Sequence, residues 1–409
     1  MDVAVPCRLS ATTGMKRDKS AAISSSFYEA NDPTEDRFKY QLDIPLSTSC
    51  TSTSTAHMNI SCDYKLHLFT VIDGHGGGIV ADFVQHNIIK CASKFITHEL
   101  AGISCTERLN DGLHTVDYDD GDLRVCIARA LIRTFQELDH LWMSQLGDND
   151  KQKECCKNGK SSAGACVSVA GLLVPRQSYR ERTSTNMTNG LLFTAHCGDV
   201  RAVLYQASVG QQDSVMDSGK LVKTFQTVDH NADNEKEVQR IEKISTDPIP
   251  IRANTAGGMS VAGSLHPTRA IGDAYLKNSL HSFPPFDRHC PYIDCVPDVH
   301  MQSIPIPASA ETNCSYLVLA TDGIWDYSSC DDICSWLSTY QSKNSNNACY
   351  RTEAEVIMES VLENMRRKVS RSRRALTVLP KGVARRKVHD DMTVLVIRLD
   401  ELLLDSEPT

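Results

Sequence analysis

The stretch LHLFTVIDGHGG, residues 66–77, begins as an unbroken apolar and β-branched run and breaks off at Asp73, Gly74, His75, Gly76 and Gly77. A short apolar run closed by glycines reads as a buried strand, and its terminal carboxylate is delivered to one edge of a sheet. Three more acidic segments sit at one end of an apolar run: Glu35-Asp36, Asp322 with Asp326 after YLVLAT, and Asp390-Asp391. Several such edges, brought together, would gather oxygen ligands around divalent metal.

Working outward from residues 66–72, short apolar runs at 165–174, 191–196, 201–205, 316–320 and 392–399 also read as strands. Residues 191–196 and 201–205 flank Cys197-Gly-Asp-Val200, a spacing that predicts a hairpin with a tight Gly-Asp turn. Helical periodicity runs from 79 to 100, with Ile79, Val80, Phe83, Val84, Ile88, Cys91 and Phe95 on one face, and recurs at 122–146, 233–244, 330–340 and 352–369. Strands often follow strands. The expected fold class is therefore α+β, with helices covering two packed sheets, rather than a doubly wound parallel sheet. One domain is expected over 27–400, interrupted by polar insertions at 47–61, 147–162, 176–189 and 206–220. Residues 1–26 are expected as a disordered tail and 401–409 as a C-terminal tail.

A hydrophobic content of 41% with 23% charged residues is ordinary for a soluble protein, and no apolar run approaches the ~18 to 20 residues of a membrane helix. The net charge of -8 argues against generic nucleic-acid binding. The sixteen cysteines are scattered, without repeated zinc-finger pairs, and are expected as reduced thiols of an intracellular protein. Arg8, Lys16, Arg17 and Lys19 are accompanied by Asp2 and Asp18, a poor match to a mitochondrial presequence. Cytoplasm or nucleus is the expected compartment, with the mitochondrion as the minority alternative, and a monomer is the expected state.

Residues 366–387 carry ten Lys or Arg and no acid. A solvated helix end and loop is the first reading, ahead of a nuclear localisation patch or a docking surface for acidic phosphosubstrates or RNA. Ser370 lies within a basic context that a kinase could use.

Clusters rich in carboxylate oxygen and free of cysteine suit hard cations, Mg²⁺ or Mn²⁺, better than zinc or copper. Two such ions ~3.5 to 4 Å apart can share one water, lower its pKa and clamp a phosphoryl group, which is hydrolase chemistry. A single Asp-Gly is a common turn dipeptide, so the weight rests on the whole ordered series.

That series is Thr34-Glu35-Asp36, Val71 to Gly77, Cys197 to Val203, Asp229-His230 with Glu237, Thr268 to Asp273, Leu319 to Asp326 and Asp390 to Val394. It resembles the metal-dependent type 2C protein serine/threonine phosphatases over nearly the whole chain, residues 27–400. The resemblance implies a central two-sheet antiparallel β-sandwich flanked by α-helices, with a two-metal site at one end and phosphoproteins as substrates. It implies that Asp73 bridges both ions, that the Gly74 carbonyl binds one of them, and that Asp322 and Asp390 bind the other. Asp36 would be a direct ligand and Glu35 would act through water. Asp199 and Asp326 match positions that hold a third, weaker metal in some members. A bridging hydroxide would attack phosphorus without a phosphoenzyme, and His75 would protonate the leaving oxygen, its alternative being a turn histidine. His230 and Glu237 are expected to be structural, capping and packing the helix that begins near Asp233.

The chain departs from the family pattern at Asn31, where many members have an arginine that holds the substrate phosphate. The pattern Asn31-x-Pro33-x-Glu35-Asp36-Arg37 resembles the pyruvate dehydrogenase phosphatase branch, as does the approach from Leu379 to Arg386, while residues 268–277 are similar to a group of plant enzymes. Arg37 is a candidate replacement or a solvent-facing strand residue. Asp391 stands where many members have asparagine, and Ser162 to Ala165 replaces the usual strand start, a change expected to concern packing. Residues 274–297, with Phe283 and Phe286, are a candidate lid or satellite cluster. The alternatives to an enzyme are a catalytically weakened member that binds phosphoproteins or a kinase, and a basic nucleic-acid or scaffold protein.

Overall fold

The computed structural model describes residues 22–46, 64–106, 120–147, 159–176, 189–208, 220–255, 257–307, 314–344, 351–369 and 379–404. Residues 1–21, most of the four polar insertions, Ser370 and residues 405–409 lie outside them.

In chain order the strands are β1 (Ile23–Tyr28), β2 (Arg37–Ile44), β3 (Tyr64–His75), β4 (Gly164–Pro175), β5 (Asn189–Cys197), β6 (Arg201–Ala207), β7 (Leu221–Gln226), β8 (Ile251–Ala253), β9 (Met259–Val261), β10 (Ile271–Gly272), β11 (Asp298–Pro305), β12 (Ser315–Ala320) and β13 (Met392–Arg398). The α-helices are α1 (Ile79–Thr106), α2 (Asp120–Gln145), α3 (Glu235–Ile244), α4 (Ala274–Lys277), α5 (Asp322–Trp325), α6 (Cys330–Asn344), α7 (Glu353–Lys368), α8 (Val383–Arg386) and α9 (Leu399–Leu403). One antiparallel sheet runs β1-β13-β12-β6-β7 and the other β11-β5-β4-β3-β2, with β10 beside β4.

The parity of each inner strand explains the layers. In β3, Leu66, Leu68 and Ile72 pack with Val80, Val84 and Ile88 of α1 and with Leu131 and Phe135 of α2. The alternate residues Phe69 and Val71 meet Leu317 and Leu319 of β12 and Leu395 and Ile397 of β13 between the sheets. On the far side, Val318 and Val396 pack under Ile333, Leu337, Ile357 and Val361 of α6 and α7. Both faces of the inner strands are covered, so they read as continuous apolar runs although the sheets are antiparallel. Each fully buried Leu, Ile or Phe contributes about 1.5 to 3 kcal/mol, which makes this four-layer core the main source of stability.

Four expectations need correction. β5 and β6 are not a hairpin: β5 pairs with β4 and β11, β6 pairs with β12 and β7, and residues 198–200 cross from one sheet to the other. Both strands are buried on two faces, and lateral pairing inside separate sheets satisfies more backbone groups than pairing with each other. The domain also starts before residue 27, because β1 begins at Ile23 and pairs with β13 through backbone, giving its serines no apolar signature. It continues past 400, because Leu402 and Leu403 of α9 are buried between the sheets. Ile79 is 41% exposed and does not join the apolar face of α1.

Candidate metal centre and active site

Residues 69, 71, 73 and 75 share one face of β3, so the parity that sends Phe69 and Val71 between the sheets aims Asp73 and His75 there as well. In the sheet that faces β3, Asp322 opens α5 just after β12, and Asp390 precedes β13, the antiparallel neighbour of β12 in that same sheet. Two loops cross between the sheets at this same end: residues 29–36, from β1 to β2, carry Glu35 and Asp36, and residues 198–200 carry Asp199. Glu35, Asp36, Asp73, Asp199, Asp322 and Asp390 therefore sit beside strand ends or on crossing loops at one end of the sandwich, and Asp326 caps the C-terminus of α5, four residues after Asp322. The approach is close: a Cβ on Gly74 would stand 2.6 Å from the Glu35 carbonyl oxygen.

The carboxylates crowd one another. Burial pushes Asp36 up to about 8, reinforced by the charges of Asp391 and Asp390, against a hydrogen bond from Thr321 Oγ1 to its Oδ2 at 2.9 Å. Burial likewise raises Asp73, with Asp322, Asp36 and Asp390 adding to it, and raises Asp322, with Asp199, Asp390 and Asp326 adding to it. Asp199 and Asp326 are raised too, each chiefly by burial. These causes link Asp199 and Asp326 to the others through Asp322.

Among the described residues no three His, Cys, Asp or Glu side chains stand as a ready-made ion-binding group. The donor set nonetheless fits a hard cation, because Asp36 Oδ1 and Asp322 Oδ1 are buried without a hydrogen-bond partner. A buried, unpaired carboxylate oxygen is costly, and mutually repelling carboxylates gain most from a multivalent positive charge.

Asp391 has a different task. Its Oδ1 accepts from the Ala30 and Asn31 amides at 2.6 and 3.0 Å, and its Oδ2 from Asn31 Nδ2 and the Glu35 amide at 2.9 and 2.8 Å. Burial would raise it, yet these donors hold it below the usual carboxylate value. Asp391 thus fixes the loop that presents Glu35, and Asn31 is spent on the same bond. Glu35 accepts from the Gly77 amide at 2.7 Å, from Asn31 Nδ2 at 3.3 Å and from Arg386 Nη1 at 2.7 Å.

His75 meets Asp273, Nε2 to Oδ2 at 2.7 Å. Asp273 is fully buried and adopts φ 47°, which turns its side chain back toward β3 and β4. Burial opposes protonation of His75, but the charge and hydrogen bond of Asp273 outweigh it and raise the imidazole above its ordinary value. A Cβ at Gly164 would lie 2.0 Å from Asp273 Oδ2 and 2.5 Å from His75 Nε2. The altered strand start at 162–165 therefore bears on the site and not on packing alone.

Glu237 supports this pair from behind. It binds Thr268 Oγ1 at 2.8 Å and Arg269 at 2.5 and 2.9 Å, holding the segment that ends at Asp273. His230 is buried against His196, ring centroids 4.3 Å apart. Both are structural, although the helix N-cap is Asn234 and the helix starts at Glu235. Phe283 and Phe286 pack on Tyr275 as a satellite cluster.

Sequence reasoning assigned no role to Asp273, Thr321 or Arg386. The signal for Asp273 was its place in the quoted 268–273 series, and for Arg386 its position one helical turn before Asp390. Arg37 is committed elsewhere, to Asp82 Oδ1 at 2.7 Å and to the Thr34 and Asp36 carbonyls. The basic segment is not simply solvated: Lys381 pairs with Glu29, Arg385 bonds the Glu29 and Leu379 carbonyls, and Arg386 reaches the carboxylate cluster.

The family model for protein phosphatase 2C matches residues 43–368. "Probable protein phosphatase 2C 34" of Oryza sativa subsp. indica is 24% identical over 341 residues, covering 81% of this chain and 73% of that protein. "Probable protein phosphatase 2C 38" of Arabidopsis thaliana is 26% identical over 344 residues, covering 82% and 72%. The fold is shared with a serine-threonine phosphatase 2C from Toxoplasma gondii, at a TM-score of 0.53 and 16% identity over 92% of this chain and 94% of that one. The matched span stops short of Glu35, Asp36 and Asp390, which the fold itself brings to Asp73 and Asp322. With four-fifths of its length aligned to curated relatives and the same sandwich architecture, this chain belongs to the protein phosphatase 2C family of metal-dependent protein serine/threonine phosphatases.

Proposed function

We propose that this protein hydrolyses phosphoserine and phosphothreonine at the sheet-end cluster, with two Mg²⁺ or Mn²⁺ ions held by Asp36, Asp73, the Gly74 carbonyl, Asp322 and Asp390, and with Glu35 acting through water. Asp199 and Asp326 would hold a third ion. The observation that carries this reading is the gathering of buried, mutually repelling carboxylates from separate segments, two of them with an unpartnered oxygen. When bound, the cations supply positive charge that polarises water and the phosphoryl oxygens.

The chain's own residues do the rest. His75 donates a proton to the departing seryl or threonyl oxygen: Asp273 anchors the ring at Nε2 and favours its protonated form, which leaves Nδ1 as the nitrogen free to deliver the proton. Thr321 and Asp391 lock Asp36 and the Glu35 loop in place, which keeps the charged groups preorganised. Retention of every core carboxylate and of the His75–Asp273 pair favours an enzyme over a binding-only family member. The reading extends to a monomer of the cytoplasm or nucleus, where free thiols such as buried Cys166 and Cys197 stay reduced.

Purified protein is assayed on a phosphothreonine peptide with Mn²⁺ and with chelator, beside Asp322→Asn. Mn²⁺-dependent release of phosphate that the substitution abolishes is expected. Activity that survives chelation or the substitution would sink the metal-centred reading.

A further inference from the structure

Asn31 cannot bring positive charge to a phosphate: its side-chain amide is neutral and bonds Asp391 and Glu35. The cations nearest the cluster are mostly engaged. Arg37 faces Asp82 and backbone carbonyls, Arg201 makes a two-point pair with Asp229 at 2.7 and 2.6 Å, and Lys368 bonds the Asp326 carbonyl at 3.0 Å. Arg386 differs from these in facing the carboxylates directly while staying open to solvent. Its Nη1 lies 2.7 Å from Glu35 Oε2, its Nη2 lies 3.2 Å from Asp390 Oδ2, and its side chain is 41% exposed.

A guanidinium has five N–H donors, so these two bonds leave three for a ligand. The turn beneath it is firmly seated. The Gly382 amide bonds the Ala30 carbonyl at 2.7 Å, the Arg386 amide bonds the Gly382 carbonyl at 2.9 Å, and the buried Arg385 bonds the Glu29 carbonyl at 2.9 Å. Helix α8 and the Glu35 loop thus form one unit, which holds the guanidinium at a set place on the rim.

We propose that Arg386 is the residue that binds the phosphoryl group of the substrate in this protein, in place of a cation at position 31. A planar guanidinium offers paired N–H donors to two phosphoryl oxygens, which a lysine ammonium cannot match. The chemistry recognised is a phosphate dianion, whether carried on a phosphothreonine peptide or released as inorganic phosphate. This assignment rests on the phosphatase reading above.

The test compares wild type, Arg386→Ala and Arg386→Lys by steady-state kinetics on a phosphothreonine peptide and by calorimetric titration with inorganic phosphate and, separately, with Mn²⁺. Loss of charge-assisted hydrogen bonds to phosphate is expected to raise KM and weaken phosphate binding about 10- to 100-fold in Arg386→Ala, with kcat and Mn²⁺ affinity changed far less. Arg386→Lys should recover only part of the loss, and unchanged circular dichroism excludes misfolding as its source. The peptide and inorganic-phosphate arms separate recognition of the substrate from retention of the product: a rise in both constants supports the assignment, and a change in the phosphate constant alone overturns it. Unchanged KM, or an altered Mn²⁺ affinity with unchanged KM, overturns it too, making Arg386 a counter-charge for the carboxylates. A wild-type protein without Mn²⁺-dependent activity would defeat the phosphatase reading itself, whereas an active wild type matched by Arg386→Ala defeats only this assignment.

Discussion

Replacing Glu237 by glutamine isolates the support behind the His75–Asp273 pair. Glu237 is 4% exposed, and its two oxygens take Arg269 at 2.5 and 2.9 Å, Arg240 at 2.9 and 3.1 Å and Thr268 Oγ1 at 2.8 Å. Glutamine keeps one acceptor but turns an amide N–H₂ toward a guanidinium. Breaking a buried ion pair costs ~3 to 5 kcal/mol, and the lower end applies because Arg269 keeps Asp298 and Arg240 keeps Asp294.

Proton linkage gives the same size by another route. Burial raises the Glu237 carboxyl, yet the Arg269 and Arg240 donors hold it down from 4.5 to about 2. That difference corresponds to about 3 kcal/mol. A depressed carboxylate contributes stability that is fully present above its unfolded value and fades as pH falls through its folded value. Urea denaturation should therefore place Glu237→Gln about 3 kcal/mol below wild type at neutral pH, equivalent to roughly 3 to 4 °C in melting temperature for a chain of this size. The gap should narrow as the solution is acidified from 4.5 toward 2. A neutral-pH difference under about 0.5 kcal/mol, the size of an ordinary surface substitution, would refute the reasoning. So would a gap that does not narrow in acid.

His75→Gln should slow phosphothreonine peptides by ~10² to 10⁴-fold and aryl phosphates much less, because an aryl oxide leaves without help from an acid. Equal loss on both substrates would count against proton donation. Gly164→Ala sets a methyl 2.0 Å from Asp273 Oδ2, so peptide turnover should fall at least tenfold while stability drops by about 1 to 3 kcal/mol. Near-normal turnover in a folded Gly164→Ala protein would mean that the His75–Asp273 contact is dispensable.

The inner strands were legible because burial on both faces leaves little room for polar residues. The edge strands β2, β7 and β11 were not, since they face solvent on one side and carry residues such as Lys39, Lys223 and His300. The same asymmetry hid β1, whose serines pair with β13 through backbone hydrogen bonds that any side chain permits. The β5–β6 spacing was ambiguous in principle: a short Gly-Asp link serves a hairpin or a sheet crossing equally well, and only the partners of each strand distinguish them.

At the site, the sequence by itself determined where the proposed ligands stand along the chain, because aspartates at the ends of apolar runs leave a one-dimensional trace: Asp73, Asp322 and Asp390 each border a strand, as the structure has them. It also determined the strand parity that aims Asp73 and His75 to the same side. What only tertiary structure decided is how residues far apart along the chain divide the work. Asp391 secures the Glu35 loop and does not stand free, Asp273 reaches His75 across 198 residues, and Arg386 reaches Glu35 across 351. Such contacts depend on where two crossing loops and two sheets come together, and long-range juxtaposition of single polar residues imposes no periodicity on the chain that could announce it.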